Sequence, residues 1–550
     1  MHLNLSMSLS MRFANTLKAL NALDEETQLK LLFDVKNSKG ENIFPGPAMQ
    51  KNLWATLDPE ADQAEGTSTE KVYANYKVKD KGEVIVAVID SGVDITHEDL
   101  KGHIWVNTQE MFGKPGVDDD NDGYVDDIYG WNFLGNKDGT NVGGTTLEVT
   151  RIFAKLKAKI DGGQTLDSEQ AALYTQVSKE VSEGLQQSKD GLDTYTTLAA
   201  AINLLKANGL KEESLAGIAV VTANSPEILQ AKALATKVFK ANKTSADIQT
   251  GIDHFKAAID YNYNPAFDSS KIVKDDPNNL SEIGYGNNDV MGPDASHGTH
   301  VAGIIAADRE NKYGINGQSL HVKIMSVRTV PNGDERDKDV GNAIRFAVDH
   351  GARIINMSFG KAYSPDKTYV DQAMKYAESA GVLIVHAAGN DSKNTESGYN
   401  NFPNRKVSTG TGSTRDIETW IEVGASAKVK GINLPADFSN FGKTSVDIFA
   451  PGKDIVSTIP GNKYASFSGT SMASPETAGV AALMLEMYPN ASAQELKRAI
   501  LSSANQYPGL SCALPGTAKD ANPTLTNFSD LSATGGTINA FKAFLEMDKL

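Results

Sequence analysis

The chain has 550 residues, of which 40% are hydrophobic and 22% are charged, a composition typical of a globular protein with a large core. The net charge of −16 argues against nucleic acid as the main partner, because binding to phosphates requires clustered lysine and arginine. The one cysteine, Cys512, excludes an intrachain disulfide, and the sequence has no apolar run of about 18 residues that would predict a membrane-spanning helix.

Residues 1–50 are interpreted as an N-terminal extension with one short amphipathic helix between Leu17 and Leu32. Residues 1–20 lack the charged start, the apolar core and the small-residue cleavage site of a signal peptide. Two explanations stay open: the protein remains inside the cell, or this chain starts downstream of its true beginning.

The first buried strand is predicted at Val84–Ile89, where six consecutive apolar residues, mostly β-branched, suit a parallel sheet covered on both faces. Asp90 follows directly. Because sites in open α/β sheets form at the carboxyl ends of strands, Asp90 is a candidate site residue. The alternative is that Asp90 caps the turn that Gly92 opens.

An acidic loop follows at Val117–Asp127, which packs six carboxylates into eleven residues. Its alternating acids followed by glycine match the first half of a calcium-binding loop, although Tyr129 stands where an EF-hand has its bidentate acid. We predict a calcium loop of another kind, against the alternative of a solvated acidic loop. The candidate ligands are Asp118, Asp120, Asp122 and Asp126.

Residues 147–265 are predicted to be a helical insertion, because glycine is sparse and apolar residues recur at helical spacing, as at Ile248, Ile252 and Phe255. The insertion separates the main domain into residues 51–146 and 266–550. It contains no cluster of catalytic residue types, and the sequence does not indicate its role.

Two histidines three residues apart, His297 and His300, precede small and apolar residues that predict a helix. A zinc pair is one interpretation. However, the glutamate and the i, i+4 spacing of the HExxH motif are missing, and no third ligand is obvious. We therefore favour His297 as a general base and His300 as a structural residue.

From residue 322 onward strands and helices alternate, which predicts an α/β fold with a doubly wound parallel sheet and helices on both faces. Asn390 follows one predicted strand, and its amide is suited to donating to an oxyanion; the alternative is an asparagine that tolerates positive φ in a turn. The predicted strands are 322–328, 353–358, 382–388, 420–425 and 445–449, and the predicted helices are 339–350 and 370–380.

Residues 472–487 are rich in alanine and leucine and predict a helix with Ser471 at its N-terminus. Unpaired N–H groups and the helix dipole favour a developing negative charge there, so Ser471 is a candidate nucleophile that needs a base. Pro475 indicates that the helix begins close to Ser471, because proline fits the first turn. An ordinary N-cap serine is the alternative.

The order Asp90, His297, Ser471 is that of the subtilisin triad. Three motifs, VIDSG ending at Gly92, HGTHVAG starting at His297 and GTSMASP ending at Pro475, make the chain resemble the subtilisin-like serine proteases, or subtilases, over about residues 80–135 and 285–545. The resemblance implies an endopeptidase that hydrolyses protein or peptide bonds through an acyl-enzyme on Ser471, without an organic cofactor. His297 would act as the base, Asp90 would orient it, and Asn390 would donate to the oxyanion.

The resemblance also implies which segments bind substrate, and where the protein acts. We expect a monomer in the extracellular space or the cell envelope, with structural calcium, a trimmed or incomplete N-terminus and residues 1–50 as a prosegment remnant. The segments that would line the pocket for the residue before the cut are Ser358, Phe359 and Gly360 together with Ala387, Ala388 and Gly389.

The chain departs from the family at Glu476, where an aliphatic residue or histidine is usual, and we hypothesise that this carboxylate perturbs the titration of His297. The insertion is a second departure, since it places Asp90 and His297 far apart in sequence. Two other functions stay open: an inactive subtilase-like binding or surface module, and an esterase or transpeptidase that shares the acyl-enzyme chemistry.

Overall fold

A computed structural model describes residues 8–43, 53–78, 82–398, 400–410 and 412–549. The chain forms two compact units. The first combines residues 1–44 with 144–267, and the second combines residues 45–143 with 268–550. The N-terminal extension and the insertion, which the sequence analysis treated separately, therefore belong to one unit.

The helices occupy both units. In chain order they are α1 (Leu9–Asn21), α2 (Glu25–Phe33), α3 (Thr69–Asn75), α4 (Thr108–Met111), α5 (Glu148–Asp161), α6 (Ser168–Ala207), α7 (Leu215–Val220), α8 (Pro226–Lys240), α9 (Ser245–Ala257), α10 (Ser270–Val273), α11 (Ser296–Ala306), α12 (Asp337–Asp349), α13 (Lys367–Ser379), α14 (Thr470–Met487), α15 (Ala493–Ser502) and α16 (Ala540–Met547). Among the helices that the structure describes, none combines the length and the apolar character that a membrane span requires.

The strands belong to the second unit. In chain order they are β1 (Val84–Asp90), β2 (Gly130–Asn132), β3 (Val322–Arg328), β4 (Ile354–Met357), β5 (Leu383–Ala387), β6 (Lys406–Ser408), β7 (Thr414–Asp416), β8 (Trp420–Ser426), β9 (Ile448–Pro451), β10 (Ile455–Ile459), β11 (Lys463–Phe467), β12 (Asn505–Gln506), β13 (Ser511–Ala513), β14 (Leu525–Asn527) and β15 (Gly536–Thr537).

Nine strands form one sheet in the order β12-β15-β9-β8-β5-β4-β1-β3-β2. All neighbours are parallel except β12 and β15. From β3 the chain passes β1 to reach β4 and then continues outward through β5, β8 and β9. β1 has β3 on one side and β4 on the other, so it lies at the switch point of the topology. Ligand sites in such sheets form at the carboxyl ends of the strands beside this point.

Both faces of the sheet are covered by apolar cores, because successive side chains of a strand point to opposite faces. One core contains apolar residues of α11, α14, α15 and α16, and the other contains those of α12 and α13. In β1, Val84, Val86 and Val88 belong to the first core, whereas Ile85, Ala87 and Ile89 belong to the second. The predicted doubly wound α/β fold is confirmed.

The first unit is helical, as predicted for the insertion. Its core joins Phe13, Leu20 and Leu32 of the N-terminal extension to residues of α6, α8 and α9. The single helix expected between Leu17 and Leu32 is wrong in extent. Asp24 accepts a hydrogen bond from the Thr27 N–H at 2.8 Å and caps α2, so the extension forms two helices.

One predicted strand is displaced. The strand expected at 445–449 starts at Ile448, because the Val446 N–H donates to the Gly442 carbonyl at 3.1 Å and closes a turn there. The other strands and helices predicted between 322 and 425 lie within a few residues of their expected positions.

Candidate active site

The alternation along β1 determines where Asp90 points. Asp90 continues the series Val84, Val86 and Val88, which faces the core containing α11 and α14. The carboxylate is 1% exposed. β1 therefore places the Asp90 carboxylate at the carboxyl edge of the sheet, on the face where α11 and α14 pack together.

His297 meets Asp90 at this edge. Its Nδ1 lies 2.6 Å from Asp90 Oδ1, which also accepts a hydrogen bond from the Ser91 N–H at 2.7 Å. Gly298 allows this approach, because a Cβ there would lie 2.1 Å from the Gly92 carbonyl oxygen. The imidazole is 19% exposed, so one side of the pair is open to solvent.

Ser471 is the second residue of α14, and the proline four residues later accounts for the hydrogen bond that its carbonyl makes outside the helix. Pro475 lies beyond the first turn, contrary to the sequence analysis, and it has no N–H for the carbonyl of Ser471. The Ser358 hydroxyl donates to that carbonyl instead, at 2.9 Å. In return, the Ser471 Oγ donates to the Ser358 carbonyl at 3.2 Å. Two reciprocal hydrogen bonds thus hold the serine against the end of β4.

A buried polar network extends this connection. Asn356 of β4 donates to the Ser358 hydroxyl at 2.9 Å and accepts from the Ser474 hydroxyl at 2.7 Å. Asn356 and Ser358 follow Ile354 on the face of the first core, so α14 is fixed to β4 by hydrogen bonds as well as by apolar packing.

Asn390 lies beside the start of α14. Its Oδ1 accepts hydrogen bonds from the Thr470 N–H at 2.8 Å and from the Thr470 hydroxyl at 3.1 Å. The Nδ2 group therefore lies on the opposite side of the amide. Ser471 follows Thr470 directly and contributes one of the first N–H groups of the helix.

The two predicted substrate-binding segments follow β4 and β5 at the same edge. Only their glycines, Gly360 and Gly389, are partly exposed; the other four residues are buried, and Phe359 belongs to the second core. The accessible part of both segments is therefore backbone. The assignment of Ser358, Phe359, Gly360, Ala387, Ala388 and Gly389 to substrate binding stays a prediction.

His300 is structural in this geometry. Its Nε2 lies 3.1 Å from the carbonyl oxygens of Ile455 and Ala465, and its ring stacks on Phe467. Among the described residues, the clusters with metal-ligand spacing lie elsewhere and do not include His297. The zinc interpretation therefore has no support from the geometry.

The acidic loop forms two adjoining clusters in the structure. Glu110, Asp118 and Asp120 each place a carboxylate oxygen within 4.8 Å of the others, and Asp120 and Asp122 form a second group with His350. The Oδ1 of Asp120 is buried and lacks a hydrogen-bond partner among the described residues. Three close carboxylates with an unsatisfied oxygen fit a hard cation such as calcium.

His350 lies against the other side of this loop, with its Nε2 at 2.9 Å from Asp122 Oδ2 and 3.1 Å from Asp127 Oδ2. Burial lowers the pKa of His350, but the hydrogen bonds to Asp122 and Asp127 outweigh burial and raise it to about 10. The imidazole therefore adds a positive charge beside the buried Asp127.

Asp126 is a ligand candidate predicted from the sequence, whereas neither Glu110 in the cluster nor His350 beside it was predicted there. The Asp126 carboxylate accepts a hydrogen bond from the Gly116 N–H at 2.7 Å and belongs to neither cluster. Glu110 lies in the short α4, before the acidic run, and His350 lies at the end of α12. No spacing rule connects these residues to the loop.

Glu476 is 2% exposed, and its partner is Gln318, whose Nε2 donates to the carboxylate. The Oε1 of Gln318 accepts in turn from the Thr67 hydroxyl at 3.1 Å. Burial raises the pKa of Glu476 to about 8, and the hydrogen bond from Gln318 opposes this only in part. Glu476 is therefore mostly uncharged at neutral pH and gains its charge above about pH 8. Its effect on His297 stays a prediction.

Comparison with known proteins identifies the family. A family model described as the subtilase family matches residues 246–528, just over half of the chain. The chain belongs to the subtilase family. The match includes His297, Asn390 and Ser471 but begins after Asp90, so the position of Asp90 in the site depends on the structure and on the VIDSG motif.

Three similar proteins carry protease names. A thermophilic serine proteinase of Bacillus sp. (strain AK1) is 41% identical over 39% of this chain and 48% of its own length. A cell wall-associated protease of Bacillus subtilis (strain 168) is 36% identical over 40% of this chain and 22% of its own. Thermitase of Thermoactinomyces vulgaris is 35% identical over 39% of this chain and 68% of its own. The chain thus spans about half or less of the length of the first two relatives.

Proposed function

We propose that this protein is a serine endopeptidase that hydrolyses peptide bonds through an acyl-enzyme on Ser471. The observation that carries this proposal is the 2.6 Å hydrogen bond between His297 Nδ1 and Asp90 Oδ1. It lies at the sheet edge where the N-terminus of α14 also presents Ser471. A carboxylate that orients an imidazole, at the same sheet edge as a helix-terminal serine, provides the groups that general-base catalysis requires.

Acylation requires the Ser471 proton to move to His297. In the resting structure this hydroxyl donates to the Ser358 carbonyl at 3.2 Å, which is long for a bond between two oxygens. The bond is therefore weak and opposes transfer of the proton to His297 only slightly. Ser471 then attacks the carbonyl carbon, and the protonated imidazole is stabilised by Asp90 and returns the proton to the leaving amine.

The negative oxygen of the tetrahedral intermediate needs two fixed donors. The Ser471 N–H lies in the first turn of α14, and Thr470 holds the Asn390 amide by its oxygen, so that Nδ2 is the donating end of the side chain. Donors that are fixed in advance cost no reorganisation during the reaction. Deacylation repeats the same steps with water as the nucleophile.

Hydrolysis of casein and of a peptide p-nitroanilide by wild type and Ser471→Ala tests the proposal. Loss of the serine is expected to lower kcat by about 10⁶, the magnitude known for a subtilisin. Ser502→Ala, an exposed helical serine of α15, is the matched control and should keep wild-type activity. Equal hydrolysis by wild type and Ser471→Ala would reject Ser471 as the nucleophile.

The same assay separates the two remaining functions. A binding module would cleave no substrate at all. With a nitrophenyl ester added to the assay, an esterase would cleave that ester but release no new amine from casein, and a transpeptidase would likewise give no net release of amines from casein. The protease names of the three relatives favour peptide bonds over esters. The cell wall association that one relative's name states also supports an extracellular or envelope location for this chain.

We also propose that Glu110, Asp118 and Asp120 bind a structural calcium ion. Calcium should raise the melting temperature of wild type, and a chelator should reverse the increase, because an ion that binds only the folded state stabilises it. Asp118→Asn should abolish the shift, since it removes one charged ligand. Asp126→Asn should keep it. Loss of the shift in both variants would favour the ligand set predicted from sequence, and a shift kept in Asp118→Asn would contradict the proposed site.

A further inference from the structure

His386 lies on the face of the sheet opposite to Asp90 and Ser471. In β5, Leu383 and Val385 belong to the first core and Ile384 to the second, so alternation turns His386 toward the second core. Its ring lies 4.9 Å from that of Trp420 and is 0% exposed. The catalytic mechanism described above does not use this histidine.

Both ring nitrogens of His386 have defined partners. Nδ1 lies 3.1 Å from each carboxylate oxygen of Glu422, its register partner on β8. The carboxylate is itself fixed, because Trp420 Nε1 donates to Oε2 at 2.7 Å. Nε2 lies 2.9 Å from the carbonyl oxygen of Phe359. A carbonyl oxygen only accepts, so Nε2 carries a hydrogen and donates it.

This donation fixes a peptide plane in a predicted substrate-binding segment. In a trans peptide the C=O and the following N–H point in opposite directions, so a Phe359 carbonyl that faces His386 turns the Gly360 N–H the other way. Gly360 is partly exposed, and it follows Ser358, whose carbonyl receives the Ser471 hydroxyl. The orientation of a backbone donor near the nucleophile thus depends on a side chain on the far face of the sheet.

We propose that His386, held by Glu422, is a positioning residue that orients the Phe359–Gly360 peptide to pair with the backbone of extended peptide substrates. The inference rests on the proposed endopeptidase function. His386 also directly precedes Ala387 and therefore connects the two predicted substrate-binding segments, one through its side chain and the other through its backbone. A short substrate that does not reach Gly360 should not require this orientation.

The test compares two substrates with the same residue before the cut: a four-residue peptide p-nitroanilide and a single-residue p-nitrophenyl ester. His386→Leu removes the donor, and we expect kcat/KM for the peptide to fall about tenfold more than for the ester, mainly through KM. His386→Gln places a donor near the position of Nε2 and should restore most of the loss. Glu422→Gln, which keeps the shape of the carboxylate, should give an intermediate ratio.

Titration of Ser471 with a sulfonyl fluoride gives the fraction of active sites, so that partial misfolding does not count as a catalytic loss. Equal losses on both substrates would overturn the inference, as would a His386→Gln variant no better than His386→Leu. If wild type cleaves both substrates and every variant keeps the wild-type ratio of the two kcat/KM values, the inference is wrong and the proposed function stands. If wild type cleaves neither substrate, the proposed function has failed and the inference fails with it.

Discussion

Two histidine–carboxylate pairs lie on opposite faces of the same sheet. Asp90 and His297 form one pair, and Glu422 and His386 form the other, with nitrogen–oxygen distances of 2.6 and 3.1 Å. The functional groups are the same, but the imidazole is 19% exposed in the first pair and 0% exposed in the second. Exposure and the partners of the ring, rather than the pair itself, separate the proposed catalytic role of His297 from the proposed positioning role of His386.

A third buried carboxylate extends the comparison. Glu476 is nearly as buried as Asp90, but its partner is the neutral amide of Gln318. Without a cationic partner, burial raises the pKa of Glu476 to about 8. For these three buried acids, the side chain opposite each one defines its chemistry.

The largest expected difference comes from the same isosteric change in both pairs. Asp90→Asn should lower kcat by about 10⁴, because an asparagine no longer holds the imidazole in the tautomer that accepts the serine proton. Glu422→Gln should lower hydrolysis of a long peptide less than tenfold. Steady-state kinetics on one peptide substrate measure both effects. Comparable losses of kcat in the two variants would contradict the different roles assigned to the two pairs.

The proposed oxyanion donor, Asn390, should give the next largest effect. Asn390→Ala removes the Nδ2 group and should lower kcat by about 10²–10³ with little change in KM, the magnitude known for a subtilisin. Asn401→Ala is a useful control, because Asn401 is also close to Gly360 and Gly389 but donates to the Ala387 carbonyl. A KM effect without a kcat effect in Asn390→Ala would assign Asn390 to substrate binding.

The smallest effect concerns stability. Glu476 keeps its proton up to about pH 8 in the folded state but loses it near pH 4.5 when unfolded. The unfolded state therefore binds fewer protons between these pH values, and wild type loses stability as pH rises from 4.5 to 8. Glu476→Gln removes this loss and should raise the melting temperature by a few degrees at pH 9 and much less at pH 4.

The exposed Glu418→Gln is the control for this experiment and should shift the melting temperature little at either pH. A uniform shift in Glu476→Gln at both pH values would show that packing, rather than ionisation, dominates at this position.

The sequence predicted the parallel sheet and the positions of Asp90, His297, Asn390 and Ser471, because each follows or starts an element with a clear apolar pattern. Other contacts depend on how segments that are distant in sequence pack together. No local pattern reveals that His386 reaches Phe359, that Glu422 stands opposite His386, or that Gln318 pairs with Glu476. The reciprocal hydrogen bonds between Ser358 and Ser471 are likewise not predictable from the sequence. Pro475 indicates only that the carbonyl of Ser471 needs a donor other than the N–H four residues later.

The helical unit has a consequence for the synthesis of the chain. The helices α1 and α2 leave the ribosome before any residue of α6 or α8 exists, yet Phe13, Leu20 and Leu32 pack in the core that those later helices complete. Domains usually fold in the order in which they emerge. Here α1 and α2 cannot bury these apolar side chains until α6 and α8 have been synthesised. By then β1, the first strand of the other unit, has already been made.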